Sequence, residues 1–102
     1  MKKLIAGVEV DVNEQGYLTD FSQWNKEIAL ELAKEEGIEI TDEHWKVFEY
    51  LQEQHKNESP LSIRKVGKSG VVNIKDFYKL FPKGPLKIST KIAGIPKPVS
   101  CI

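Results

Sequence analysis

Only one thiol is available for chemistry in this 102-residue chain, that of Cys101, one residue from the C-terminus. Its reactive form is the thiolate, and nearby positive charge raises the thiolate fraction by lowering the cysteine pKa. From Phe77 onward the chain holds five lysines, Lys79, Lys83, Lys87, Lys91 and Lys97, and no acidic side chain. Fifteen basic and fifteen acidic residues make the whole chain neutral, so Met1 to Asp76 carries a balance of −5. A neutral total therefore conceals an acidic body and a basic tail.

Position alone leaves two readings of Cys101. Free cysteines are among the most buried residues, which favours a small apolar side chain tucked into a core. A residue beyond Pro96-Lys97-Pro98 has little chain around it to bury it, which favours a reactive thiol carried on a terminal arm. Lys87 and Lys91 stand four apart on a helix-length segment and share a face. With Lys83 before them and Lys97 on the arm, they form either a solvated surface or a potential that supports the thiolate and steers the arm to an acidic partner. His44 and His55 have no second cysteine beside them and lack the short spacings of a structural zinc site. No metal and no cofactor is therefore expected, and His44 reads as a surface or cap residue. Glu35, Glu36, Glu39, Asp42 and Glu43 read as a solvated face that complements helix ends, and no Gly-rich phosphate loop or dinucleotide fingerprint is present.

The elements that must position these residues are short. Leu4, Val8, Val10 and Val12 around Gly7 predict a hairpin, with a turn at Asn13 to Gly16 and a brief third strand at Tyr17-Leu18. Helical spacing of Trp24, Ile28, Leu32 and Ala33 predicts a helix over 24–36, stopped by Gly37. Thr41 caps a second helix with Trp45, Phe48 and Leu51 as its buried stripe, ending near 54–57. Ser59-Pro60 forces a turn into a short helix over 61–66, with a basic linker bracketed by Gly67 and Gly70. Asn73 caps a helix that Pro82 stops, and Pro85 opens a last helix that ends at Gly94. The expected fold is α+β: a small N-terminal β-meander packed on about five short helices, a single domain over 1–102 with 94–102 as an extended C-terminal arm.

Composition excludes several classes. At 40% hydrophobic and 29% charged residues, the chain has the balance of a soluble domain with one modest core. Trp24, Trp45, Phe48, Phe77 and Phe81 are expected to dominate its packing. No apolar run approaches membrane-spanning length, and Glu9 and Asp11 interrupt the N-terminal apolar run too early for a signal peptide. A single cysteine excludes an internal disulfide and makes the cytoplasm the default compartment.

The run LFPKGPLKISTKIAGIPKPVSCI, Leu80 to Ile102, closely resembles the C-terminal signature of the TusE/DsrC sulfur-carrier family, in which LFP-x-GP-x-K leads into KIAGLPKP and a penultimate cysteine. Gly16 to Leu18, Trp24, Glu39 to Thr41 before His44-Trp45, Ser59-Pro60 and Arg64 follow in the family's order, so the resemblance spans nearly the full chain. DsrC proteins proper have a second cysteine eleven positions before the penultimate one, and Thr90 stands there instead. The resemblance thus points to the single-cysteine, TusE-like branch. Two further departures are a short tract between Arg64 and Asn73 and Lys87-Ile88-Ser89 where the family usually has KQA.

The resemblance implies that Cys101 accepts and passes on persulfide sulfur, that Arg64 lies near the arm's docking groove, and that the fold is a meander on an array of helices. It further implies a TusBCD-type sulfur donor and the tRNA 2-thiouridylase as acceptor, with no membrane partner. Two alternatives stand beside it. One is a gamma subunit of dissimilatory sulfite reductase, which Thr90 disfavours. The other is a helix-turn-helix-like nucleic-acid module with Arg64, Lys65 and Lys68 on its recognition element, which the acidic body disfavours.

Overall fold

The computed structural model describes residues 1–96, beginning with an antiparallel hairpin of β1 (Lys2–Ile5) and β2 (Val8–Asp11). Ala6 and Gly7 connect the strands with φ of 51° and 77°, the doubly left-handed turn whose twist matches that of a hairpin. Ile5, Val10 and Val12 are buried, whereas Leu4 and Val8 face out. The expected meander is reduced. Instead of a third strand, Leu18 makes a single bridge to Val12. The Asn13 side chain holds the turn by accepting from the Gln15 and Tyr17 amides. Asp20 then accepts from the Ser22 amide and starts a 3-10 turn at Phe21–Gln23, which ends the extended segment.

Helix α1 (Lys26–Glu35) begins two residues later than periodicity predicts. Asn25 is its N-cap, accepting from the Ile28 amide, and Trp24 stays extended outside the helix. Gly37, at φ 72°, closes the other end while the Ile38 amide returns to the Ala33 carbonyl. Helix α2 (Asp42–Lys56) buries His44, Val47, Phe48 and Leu51. Trp45 is only half-buried, so the apolar stripe is rotated by one residue from the expected one.

Of the two roles expected for His44, surface or cap, the structure shows the cap: the residue is 4% exposed and belongs to the capping box that opens α2. Its Nδ1 accepts from the Thr41 amide at 3.0 Å and lies 2.8 Å from the Thr41 hydroxyl. Its Nε2 lies 3.1 Å from the Leu80 carbonyl. An acceptor at Nδ1 leaves the ring proton on Nε2, which donates to Leu80. The imidazole therefore fills the place of the Glu or Gln in a capping box and ties the start of α2 to a second helix. Its ring also meets the edge of Phe81 at 5.1 Å, beside the Phe77–Phe81 and Phe48–Phe81 contacts at 5.8 and 5.9 Å. Replacing it, His44→Ala, removes the cap acceptor, orphans the Leu80 carbonyl and opens a cavity. A loss of about 2–4 kcal/mol is expected in urea unfolding. His44→Gln, which restores the acceptor, is expected to recover part of that loss; equal losses for the two variants would refute the capping role.

Helix α3 (Ile63–Lys68) starts after Ser62, whose hydroxyl accepts from the Lys65 amide. It continues through Gly67, which sequence reading assigned to a linker. A Cβ at Gly67 would stand 2.3 Å from Ile74 Cγ1, so this glycine permits the close approach of α4 (Ile74–Leu80). Asn73 caps α4 by accepting from the Asp76 amide. Helix α5 (Pro85–Ile92) is central, packing on α1, α2 and α4, and it buries Pro85, Leu86, Ile88, Ser89, Thr90 and Ile92. The result is an α+β fold, a small antiparallel sheet and five helices around one apolar cluster.

Candidate functional site

The C-terminal end of α5 is where the body hands the chain to its tail. A helix end leaves carbonyl groups without helical partners, and each must find another donor or meet water. Here the chain itself supplies three. The Ala93 amide donates to Ser89, the Gly94 amide to Lys91, and the Ile95 amide to Thr90. Side chains from elsewhere supply two more: Trp24 Nε1–H donates to the Ile92 carbonyl and Gln52 Nε2–H to the Ala93 carbonyl, both at 2.8 Å. Five consecutive carbonyls, Ser89 to Ala93, are thereby satisfied.

Gly94 makes the reversal that follows, at φ 78°. It packs directly on Trp24, where a Cβ would lie 2.4 Å from Cδ1. Trp24 is in turn fixed by its indole hydrogen bond and by stacking on Phe21 at 6.1 Å. Gly94 and Ile95, expected to open the arm, are both buried, and the chain reaches the surface only at Pro96. Lys97 and Cys101 lie outside the described residues. Covalent geometry places Cys101 at most about 18 Å from Pro96.

The other sequence-predicted residues do not form one constellation. Lys91 Nζ makes an ion pair with Glu36 at 2.9 Å, with both side chains about four-fifths buried. Its stem lies over Gly16. Lys87 is exposed beside it, and the two bound a hollow with Gln15, Tyr17, Glu36 and Ile88. Lys83 is exposed on the opposite side of Ile88, in a cleft with Lys79 and Leu80. Arg64 is exposed on α3 and lines none of these hollows. Lys65 donates to the Pro60 carbonyl, and Arg64 and Lys68 are exposed on the six-residue α3.

Thr90, at the position of the second cysteine in two-cysteine relatives, is fully buried. Its hydroxyl donates to the Leu86 carbonyl at 2.7 Å, so it is a satisfied core residue. Among the described residues, no group of three His, Cys, Asp or Glu side chains is arranged to hold a metal ion. No helix among them is long and apolar enough to cross a membrane.

Three positioning residues escaped sequence reading. Trp24 was assigned to the face of a helix, and Tyr17 to a strand. Tyr17 is in fact 1% exposed, and its hydroxyl donates to the Lys87 carbonyl, binding the hairpin end to α5. Gln52 carried a signal that was not used: it stands four residues after Phe48, and so on the buried side of α2. A polar group there needs a buried partner, and the Ala93 carbonyl is that partner.

The last helix of the body is thus capped from outside, and the described chain reaches the surface at Pro96. The model of the DsrC-like protein family matches residues 4–102. "Sulfurtransferase TusE" of Photorhabdus laumondii is 46% identical over 105 residues, covering 94% of each chain. A chain of dissimilatory sulfite reductase I superimposes with a TM-score of 0.85 at 33% identity, and the DsrC of Allochromatium vinosum with 0.81 at 34%, each covering 100% of both chains. The protein described here belongs to the DsrC-like family.

Proposed function

We propose that this protein is a sulfur carrier that takes up persulfide sulfur on Cys101 and passes it on in a relay for tRNA 2-thiouridine formation. The observation that carries this reading is the capped end of α5, which fixes the point where the chain leaves the body. A thiol on the tail then samples a restricted volume, and less entropy is lost when it enters a partner's pocket. The proline pair Pro96 and Pro98 narrows the tail's conformations further.

The reaction is an exchange at sulfur with no net redox change. The Cys101 thiolate attacks the outer sulfur of a donor persulfide, the donor S–S bond breaks, and the donor thiolate leaves. Cys101 then carries S–SH. In the second step an acceptor thiolate attacks that outer sulfur and Cys101 leaves as thiolate. The chain is regenerated, so carrier describes it better than a catalyst acting alone. The donor in this reading is a TusBCD-type complex, the acceptor is the tRNA 2-thiouridylase, and the compartment is the cytoplasm. In this account the chain is a single domain whose packed body includes Gly94 and Ile95. Lys83, Lys87 and Lys97 set the local positive potential, while Lys91 is largely neutralised by Glu36.

A role beside dissimilatory sulfite reductase is the second reading, favoured by the structural likeness to a chain of dissimilatory sulfite reductase I. Thr90 weighs against it, because its position offers a bonded hydroxyl and no second thiol. The distinguishing experiment reconstitutes the relay from a cysteine desulfurase, a TusBCD-type complex, this protein and the thiouridylase, and measures 2-thiouridine by nucleoside mass spectrometry. Omitting this protein is expected to reduce the product at least tenfold. Undiminished thiolation without it, together with copurification with a sirohaem enzyme, would favour the second reading.

A further inference from the structure

A cleft of about 340 Å³ lies between the loop after α1 and the helices α4 and α5, and no step above uses it. Its floor is apolar, made by Ile38, Leu80, Pro82 and Ile88, while Lys79 and Lys83 stand on one side and Glu39 on the other. Past Glu36 and Ile88, which line both, lies the second hollow beside Lys87, also about 340 Å³. Glu36 is occupied by Lys91, and no ion pair among the described residues engages Lys79, Lys83 or Lys87, all of them exposed. The cleft thus has an apolar lining flanked by the Lys79 and Lys83 ammonium groups, with Lys87 beyond Ile88 on the second hollow, and none of the three is ion-paired among the described residues. Glu36 and Glu39 also line the cleft, and these carboxylates repel a polyphosphate backbone but accommodate a peptide whose charges lie on one edge.

We propose that this groove is the docking site for an acidic, extended segment of the protein that exchanges sulfur with Cys101. An apolar side chain of that segment covers Ile38, Leu80 and Ile88, and flanking carboxylates face Lys79, Lys83 and Lys87. The proposal rests on the carrier reading, because it assigns the groove to a sulfur partner. Ile88 and Ile92 are about 6 Å apart along the α5 axis, so a partner held on the groove is fixed to the same rigid helix that launches the tail. Docking there and delivery of the thiol become one placement.

The test titrates purified TusBCD-type complex into the full-length, isotope-labelled protein and follows backbone amide signals. Affinity is measured in parallel for Lys79→Glu/Lys83→Glu and for Lys46→Glu/Lys68→Glu, an equal charge change elsewhere on exposed positions. Shifts at Ile38, Leu80 and Ile88 are expected. The groove variant should bind about tenfold more weakly at low ionic strength than the control variant, with the difference shrinking as salt screens the charges. Equal weakening by both variants would overturn the proposal. So would shifts of those three amides on deleting residues 97–102, which would make the tail the occupant, or on raising the protein concentration alone, which would make it a second copy. If the wild-type protein takes up no sulfur from the complex, the carrier reading fails; if it is loaded with sulfur and the groove variant binds like the control, the groove assignment alone fails.

Discussion

Gly94→Ala destabilises the protein by about 2–5 kcal/mol. Two costs combine. A left-handed backbone costs a non-glycine residue about 1–2 kcal/mol, and an overpacked contact typically adds about 1–3 kcal/mol. The new Cβ would stand 2.4, 2.7 and 2.9 Å from Cδ1, Cγ and Cβ of Trp24. Trp24 has little freedom to give way, because its indole is bonded to the Ile92 carbonyl and stacked on Phe21. Gly37 supplies the control. It has a similar φ of 72°, yet no atom lies within 4 Å of its added Cβ. Gly37→Ala therefore carries only the backbone cost, about 1–2 kcal/mol. Thermal unfolding of the two variants separates the terms; equal losses would mean that Trp24 does not brace the tail root.

Cys101→Ser abolishes sulfur transfer while leaving the body folded. A serine hydroxyl is not ionised at neutral pH and forms no persulfide, so no residual relay activity is expected. Among the described residues the apolar cluster is complete enough to pack from Ile5 to Ile95, so an unchanged unfolding midpoint is expected for this substitution. Reconstituted transfer from donor to acceptor, measured beside a urea unfolding curve, checks both halves. Retained transfer in a folded variant would remove Cys101 from the reaction.

Features of the fold set by local chemistry were legible in the sequence. Thr41 and Asn73 announced two helix starts, Gly37 and Gly94 two helix ends, and Pro85 the first turn of α5, because capping and φ preferences act within a few residues. The hairpin about Gly7 followed for the same reason. What escaped depends on contacts between distant residues. His44 meets Leu80 across 36 positions, Gln52 meets Ala93 across 41, and Lys91 meets Glu36 across 55. No periodicity encodes such pairs, so the sequence suggested a cap role for His44 but not its burial against Leu80, and placed Lys91 on a solvated or thiolate-supporting face and not in a pair with Glu36. Trp24 illustrates the limit most clearly: its spacing to Ile28 and Leu32 is helical, yet the Asn25 cap excludes it from the helix and frees its indole to cap α5.

The candidate site divides in the same way. Cys101 and the basic tail stood out by position and charge alone, and it is the resemblance to a sulfur-carrier family that implies persulfide chemistry for this thiol. The capping of α5 by Trp24 and Gln52, and the packing of Gly94 against Trp24, needed the three-dimensional structure.

The most direct test of the central claim is the intact mass of the wild-type protein and of Cys101→Ser after incubation with a cysteine desulfurase, cysteine and a TusBCD-type complex. The carrier account predicts a gain of one sulfur atom on the wild type, reversed by reductant and absent from the variant. No gain on a wild-type protein whose Cys101 is fully alkylated by iodoacetamide, or an equal gain on the variant, would contradict it.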